Sequence, residues 1–137
     1  MKKKLLAIGL GAALSMTAVS AMASTLTLKS QNIPSAIGVT CNGTQGIPIQ
    51  PNSQVGPLPY VALVTLFGSH TLRCTFTVGG NTAGTATLIV GPSDTHAKII
   101  KYMPYSPYSV TIANTNRNGQ PVGIYSPAYD MVVTLSQ

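Results

Sequence analysis

The chemistry open to this chain is bounded by how few groups are present to perform it. Asp94 and Asp130 are the only carboxylate side chains in 137 residues, glutamate is absent, and His70 and His96 are the only imidazoles. A glycosidase needs two carboxyl groups flanking one bond, so it would have to use this pair with no spare. A serine hydrolase would need a Gly-x-Ser-x-Gly elbow, which the chain lacks. Ser93-Asp94-Thr95-His96 is too compressed to supply nucleophile, base and orienting acid from one segment. Following Gly91-Pro92, these four residues have the composition of a polar turn in which Ser93 and Asp94 bond local backbone. The inventory points to a non-enzymatic protein without a cofactor.

A metal site would draw on His70, Asp94 and His96. Positions two apart on a strand share a face, so Asp94 and His96 would project together, with His70 joining from a neighbouring element. No spacing motif ties the three, and the plainer reading is two surface histidines near turns.

The richer pattern is aromatic. In Lys98-Ile99-Ile100-Lys101-Tyr102-Met103-Pro104-Tyr105-Ser106-Pro107-Tyr108, tyrosine recurs every three residues at 102, 105 and 108, and Tyr125-Ser126-Pro127-Ala128-Tyr129 is a partial echo. Three residues per turn is the polyproline II period, so an extended stretch here would place the rings on one stripe. Tyrosine joins an apolar ring to a polar tip. With Lys98 and Lys101 beside them, Tyr102, Tyr105, Tyr108, Tyr125 and Tyr129 form a candidate surface for a polysaccharide, a lipid headgroup layer or another protein. The competing reading is that the rings cover one end of the domain and bury their faces.

The elements that would position these residues begin after a targeting segment. Lys2-Lys3-Lys4, the apolar run Leu5 to Leu14 and Ala21-Met22-Ala23 have the form of a bacterial signal peptide with its cleavage site, so residues 1–23 are expected to be removed on export to the periplasm or beyond. The apolar run is shorter than a membrane span, and no transmembrane segment is expected after cleavage. Three of the eight cations lie in the leader, and no basic run follows it, so nucleic acid is not an expected partner. Residues 24–137 suit a single domain.

An exported chain with two cysteines, Cys41 and Cys74, most simply carries one disulfide. With a separation of 33 residues, loop entropy sets an upper figure of about 3.7 kcal/mol on its contribution.

The remaining chain alternates apolar and polar residues throughout. Leu72 to Val78 places Leu72, Cys74, Phe76 and Val78 on one face and Arg73, Thr75 and Thr77 on the other, the pattern of a half-buried strand. The same pattern predicts strands at Thr25 to Lys29, Ile37 to Cys41, Thr85 to Val90, Ala97 to Met103, Ser109 to Ala113 and Met131 to Ser136. Tyr60 to Phe67, apolar on both phases, is expected to be a central strand, and no amphipathic helix is predicted. Gly79-Gly80-Asn81 and Asn118-Gly119 suit tight reversals, and Gly46 to Pro59, with four prolines, suits a loop or edge excursion. Seven or eight short strands in one domain predict an all-β, single-domain antiparallel sandwich, loosely immunoglobulin-like, since the buried tryptophan of an antibody domain is missing.

An exported all-β chain with an early cysteine pair, an alternating first segment (Ser24-Thr25-Leu26-Thr27-Leu28-Lys29) and an alternating last one (Tyr129-Asp130-Met131-Val132-Val133-Thr134-Leu135) resembles the chaperone–usher pilins and spore-coat-U-type fimbrial subunits. In that family the N-terminal segment completes a neighbour's sheet, so the resemblance implies a structural subunit assembled by strand addition. It stands as the alternative to an exported binding protein. The two differ on whether Leu26 and Leu28 pack into their own domain, and they leave the oligomeric state open.

Overall fold

Alternation with a polar outer phase becomes strand wherever it occurs in the computed structural model, which describes residues 24–137; the expected leader, residues 1–23, lies outside the described residues. In chain order the elements are β1 (Thr25–Gln31), β2 (Ile37–Cys41), β3 (Thr44–Gln45), β4 (Gln54–Pro59), α1 (Tyr60–Phe67), β5 (Thr71–Val78), β6 (Asn81–Val90), β7 (Ala97–Pro104), β8 (Ser109–Thr115), β9 (Pro121–Val122) and β10 (Asp130–Ser136). β3 and β9 are two residues each, and of the longer strands all but β4, in the segment expected to be a loop or edge excursion, are ones alternation foresees.

Two five-stranded sheets form the sandwich, one in the order β4-β1-β10-β8-β9 and the other β3-β2-β5-β6-β7. Inward phases meet between them: Leu26 and Leu28 of β1 and Met131, Val133 and Leu135 of β10 are all buried. On the facing sheet Leu72, Phe76 and Leu88 are buried too. Pairing is antiparallel except between the first and last long strands. There β1 runs parallel to β10, with Leu26 beside Met131 and Leu28 beside Val133, a departure from the expected all-antiparallel sheet. Parallel neighbours need a long crossover, and here everything between the two strands serves as one. β1 lies between β4 and β10, so in this chain its leucines complete the sheet of their own domain.

The reversals follow local chemistry. Gly79 and Gly80 join β5 to β6, and the Asn116–Gly119 turn joins β8 to β9, closed by the Gly119 N–H donating to the Asn116 carbonyl at 2.9 Å. β4 is the edge excursion expected of the proline-rich segment. Cys41 and Cys74 stand directly opposite each other in the β2–β5 register and form the disulfide, both on the inward phase.

The expected strand at Tyr60–Phe67 is instead helix α1. Its inward residues, Tyr60, Leu63, Val64 and Phe67, follow helical spacing, while Val61, Ala62, Thr65 and Leu66 face outward. Apolar residues on the outer face conceal that period, because a window that is apolar almost everywhere fits strand and buried helix equally well. Thr65, the polar exception, donates its hydroxyl to the Val61 carbonyl one turn back. Gly68 stops the helix in the left-handed conformation at φ 71°, donating its N–H to the Val64 carbonyl at 2.8 Å, a position where a side chain is strained.

Candidate functional site

The polyproline stripe expected over residues 98–108 does not form. Residues up to Pro104 belong to β7 and pair with β6, and Tyr105 to Tyr108 make a turn closed by the Tyr108 N–H on the Tyr105 carbonyl at 2.9 Å. β8 then continues in the other sheet. The three tyrosines are thus divided among a strand, a turn and the approach to the next strand.

A bulge decides which side chains of β7 face out. The β6–β7 register shifts after Thr87, so Ile99 pairs with Leu88 but Lys101 with Thr87, leaving Ile100 extra. One added residue inverts the parity of everything after it. Uninterrupted alternation from Ala97 would have turned Lys101 inward. With the bulge, Ile99 and Tyr102 face in, whereas Lys98, Ile100, Lys101 and Met103 are exposed.

The tyrosines therefore have different surroundings. Tyr102 is half-buried, with its ring 6.1 Å from that of Tyr125, and Tyr108 is half-buried against the core. Tyr129 is half-buried beneath the Arg117 guanidinium, 5.6 Å from its ring centre. Tyr105 and Tyr125 are the open rings, 42% and 58% exposed. A residue the sequence pattern does not flag, Asn114, sets the Tyr125 loop: buried on β8, its amide donates to the carbonyls of Gly123 and Ile124 at 3.1 and 3.0 Å. A lone Asn in an otherwise alternating strand was its only trace.

The proposed metal residues are not brought together as a set. His70 Nε2 and Asp94 Oδ1 pair at 3.1 Å, so His70 is indeed a neighbour of Asp94. However, residues 93–96 lie in a turn rather than a strand, with Asp94 at φ 59°, and the two-residue strand rule does not apply. His96 turns back over Gly91, so closely that a Cβ there would come within 2.7 Å of its Nε2. Among the described residues no three His, Cys, Asp or Glu side chains group to hold a metal ion. Ser93 and Thr95 bond each other through their hydroxyls at 2.8 Å, and the Asp94 N–H closes the turn on the Gly91 carbonyl.

The other aspartate is structural. Asp130 Oδ1 accepts from the Thr25 N–H at 3.1 Å and from the Thr25 hydroxyl at 2.9 Å, fastening the start of β1 to β10. Beside it, Tyr60 is fully buried and donates its hydroxyl to the Ala128 carbonyl at 3.2 Å. Burial foremost, and the Asp130 charge second, push this phenol well above its ordinary range. Ser24 is buried as well, accepting from the Tyr60 N–H at 2.9 Å and donating its hydroxyl to the Thr95 carbonyl.

Between the sheets lies a feature invisible to the sequence pattern, an apolar cavity of about 300 Å³. Leu28 and Val133 line it from one sheet, Phe76 and Leu88 from the other, and Leu63 and Phe67 from α1. The Cys41–Cys74 bridge is part of the wall. Most wall residues are buried or half-buried; Ile47, Ala62 and Leu66 are exposed and mark the mouth. Thr85 and Tyr102 are the wall residues that carry a hydroxyl; Thr85 pairs with exposed Met103 on the outward phase of β6, and Tyr102 is half-buried on the inner side of β7.

The exposed large apolar residues form two groups. Ile100, Met103, Tyr105 and Tyr125 gather around β7, and Ile47, Val61 and Leu66 around the cavity mouth. No helix among the described residues is long and apolar enough to cross a membrane.

No protein-family model matches the chain, and no curated protein matches it. Among solved structures it is similar to the crystal structure of IP-1A from Alcaligenes faecalis, with 9% identity over 87% of this chain and 94% of that one, at a TM-score of 0.49.

Proposed function

We propose that this is an exported, non-enzymatic binding protein whose contact surface is the outer side of β7 with the turn that follows it, and whose ligand is an anionic polysaccharide. One observation carries the reading: along β7 the outward residues alternate cation and apolar group, Lys98, Ile100, Lys101 and Met103, exposed Tyr105 follows them in the chain, and exposed Tyr125 stands by Tyr102 of the same strand. An eight-residue strand is about 26 Å long, so this surface suits an extended polymer that meets several side chains in turn. Tyrosine rings stack on sugar faces while lysines meet acid groups. Among the described residues the ion pair present is His70–Asp94, which leaves Lys98 and Lys101 with no acidic partner of their own.

Absence of catalysis is supported by how the scarce reactive groups are used. Asp130 fastens β1, Asp94 pairs with His70, and both cysteines are in the bridge. Export is supported by the leader pattern together with a disulfide, which belongs to oxidising compartments.

The test is an array of anionic and neutral polysaccharides, run beside anionic phospholipid vesicles, with wild-type protein and Tyr105→Ala. Saturable binding to anionic polysaccharide, weakened at least tenfold in Tyr105→Ala with a melting shift of only a few degrees, is the expected result. Binding to vesicles alone, or to no polysaccharide, would overturn the proposal.

A further inference from the structure

We infer that the cavity between the sheets is a second binding site, which takes one unbranched aliphatic chain of about ten to twelve carbons through the mouth between Ile47 and Leu66. This inference does not depend on the polysaccharide reading, because the mouth is bordered by β3 and β4 whereas the polysaccharide surface is the outer side of β7, and the cavity meets β7 only on its inner side, at Ile99 and Tyr102.

Volume, shape and chemistry each select this occupant. A dry apolar cavity of about 150 Å³ holds a benzene ring, so one of about 300 Å³ suits roughly twice as many carbons. The wall runs across the second sheet from Val39 on β2 to Tyr102 on β7, three strand spacings or about 14 Å, with Ile112 facing from the other sheet. Such a slot between two sheets is long and thin, the form of a chain. No charged residue contributes to the wall, and its polar side-chain atoms are two hydroxyls, that of Thr85 on the outward phase and that of half-buried Tyr102 at the β7 end. A polar head gains nothing inside and stays in water at the mouth, while each methylene drawn inward leaves water for apolar surroundings. A protein laid over the mouth would cover Ile47, Val61 and Leu66 but leave the interior unfilled, so a small molecule is the fitting occupant.

The experiment titrates the oxidised protein with straight-chain primary alcohols from hexanol to hexadecanol, by calorimetry and by displacement of N-phenyl-1-naphthylamine. One chain per protein should bind, about fourfold tighter for each added methylene, with a ceiling near decanol to dodecanol. Leu66→Asp, at an exposed position, should weaken dodecanol at least tenfold without moving the melting temperature. Ala86→Leu, on the inner face of β6, should lower the ceiling by about three carbons because it places that many in the slot. If Ala86→Leu does not fold, the wild-type length series and Leu66→Asp decide the question. Affinity that climbs past dodecanol without a ceiling, several chains per protein, no saturable binding, or binding to phosphatidylcholine vesicles with none to alcohols would each overturn the inference. Anionic polysaccharide should not displace dodecanol, so failure at one site is distinguishable from failure at the other.

Discussion

The two edges of the sandwich expose apolar side chains in opposite ways. Along β7, Ile100 and Met103 are interleaved with Lys98 and Lys101, and the apolar surface stays shallow. Around the mouth, Ile47, Val61 and Leu66 stand without a cation among them and lead inward to a wall that has no charge. Interleaved lysines also guard an edge strand against pairing with another chain. A surface that is guarded can remain open to water and meet a soluble polymer, whereas an unguarded one is useful only if its apolar atoms continue into an interior. The same residue types thus acquire different tasks from the side chains between them.

The largest expected effect tests whether the edges are independent. Replacing both cysteines with alanine should lower stability by up to about 3.7 kcal/mol in urea unfolding. Because the bridge is on the cavity wall, dodecanol binding should fall as well, while anionic polysaccharide binding by the fraction still folded should be retained. Equal loss at both sites would break the comparison. Next in size is Tyr105→Ala, where a tenfold loss of polysaccharide affinity corresponds to about 1.4 kcal/mol. Dodecanol affinity should not change, since Tyr105 is in the turn beyond β7 and off the cavity wall.

How far each edge was legible in the sequence follows from what its residues depend on. β5 and β10 were readable because polar residues mark their outer phase, and that same parity placed Cys41 and Cys74 inward. α1 was not, since Val61, Ala62 and Leu66 erase the polar face by which a helix declares itself. Its punctuation was present in Pro59 and Gly68, and Asn42-Gly43, which turns β2 into β3, was equally available as a reversal. The bulge at Ile100 has no local signal, for it is settled by the pairing of β7 with β6, and it explains why Tyr102 faces inward. The cavity depends on the spacing of two sheets whose strands are distant in the chain, so no window of sequence contains it.

A brace joins the two edges. Tyr60 begins α1, yet its hydroxyl reaches the Ala128 carbonyl, which also accepts from the Ala97 N–H at the start of β7. Tyr60→Phe should cost about 1 kcal/mol, the usual net worth of one such bond. The wild type should also lose stability as pH rises above the ordinary phenol value of about 10, because the unfolded state then releases a proton that the buried phenol retains. Below that pH this contribution is constant. Urea unfolding at intervals from pH 8 to pH 11 should show a decline of about 1 kcal/mol in the wild type that is missing from Tyr60→Phe. Matching pH profiles would remove Tyr60 as the source.

The smallest expected effect separates the two readings of the lysines on β7. Lys101 is exposed, and the attraction between one exposed cation and an anionic polymer is worth less than 1 kcal/mol at moderate salt. If Lys101 meets ligand, Lys101→Ala should weaken anionic polysaccharide severalfold at low salt, and the difference from wild type should close as salt rises past the point where the Debye length falls below about 8 Å. If Lys101 only guards the edge, affinity should be unchanged at every salt concentration, and the variant should instead form dimers or larger species through β7. Titration at stepped salt, with light scattering on the same samples, reads both outcomes. A salt-dependent loss in a protein that stays the same size as wild type would assign the lysine to ligand; growth in size without loss of affinity would assign it to the edge.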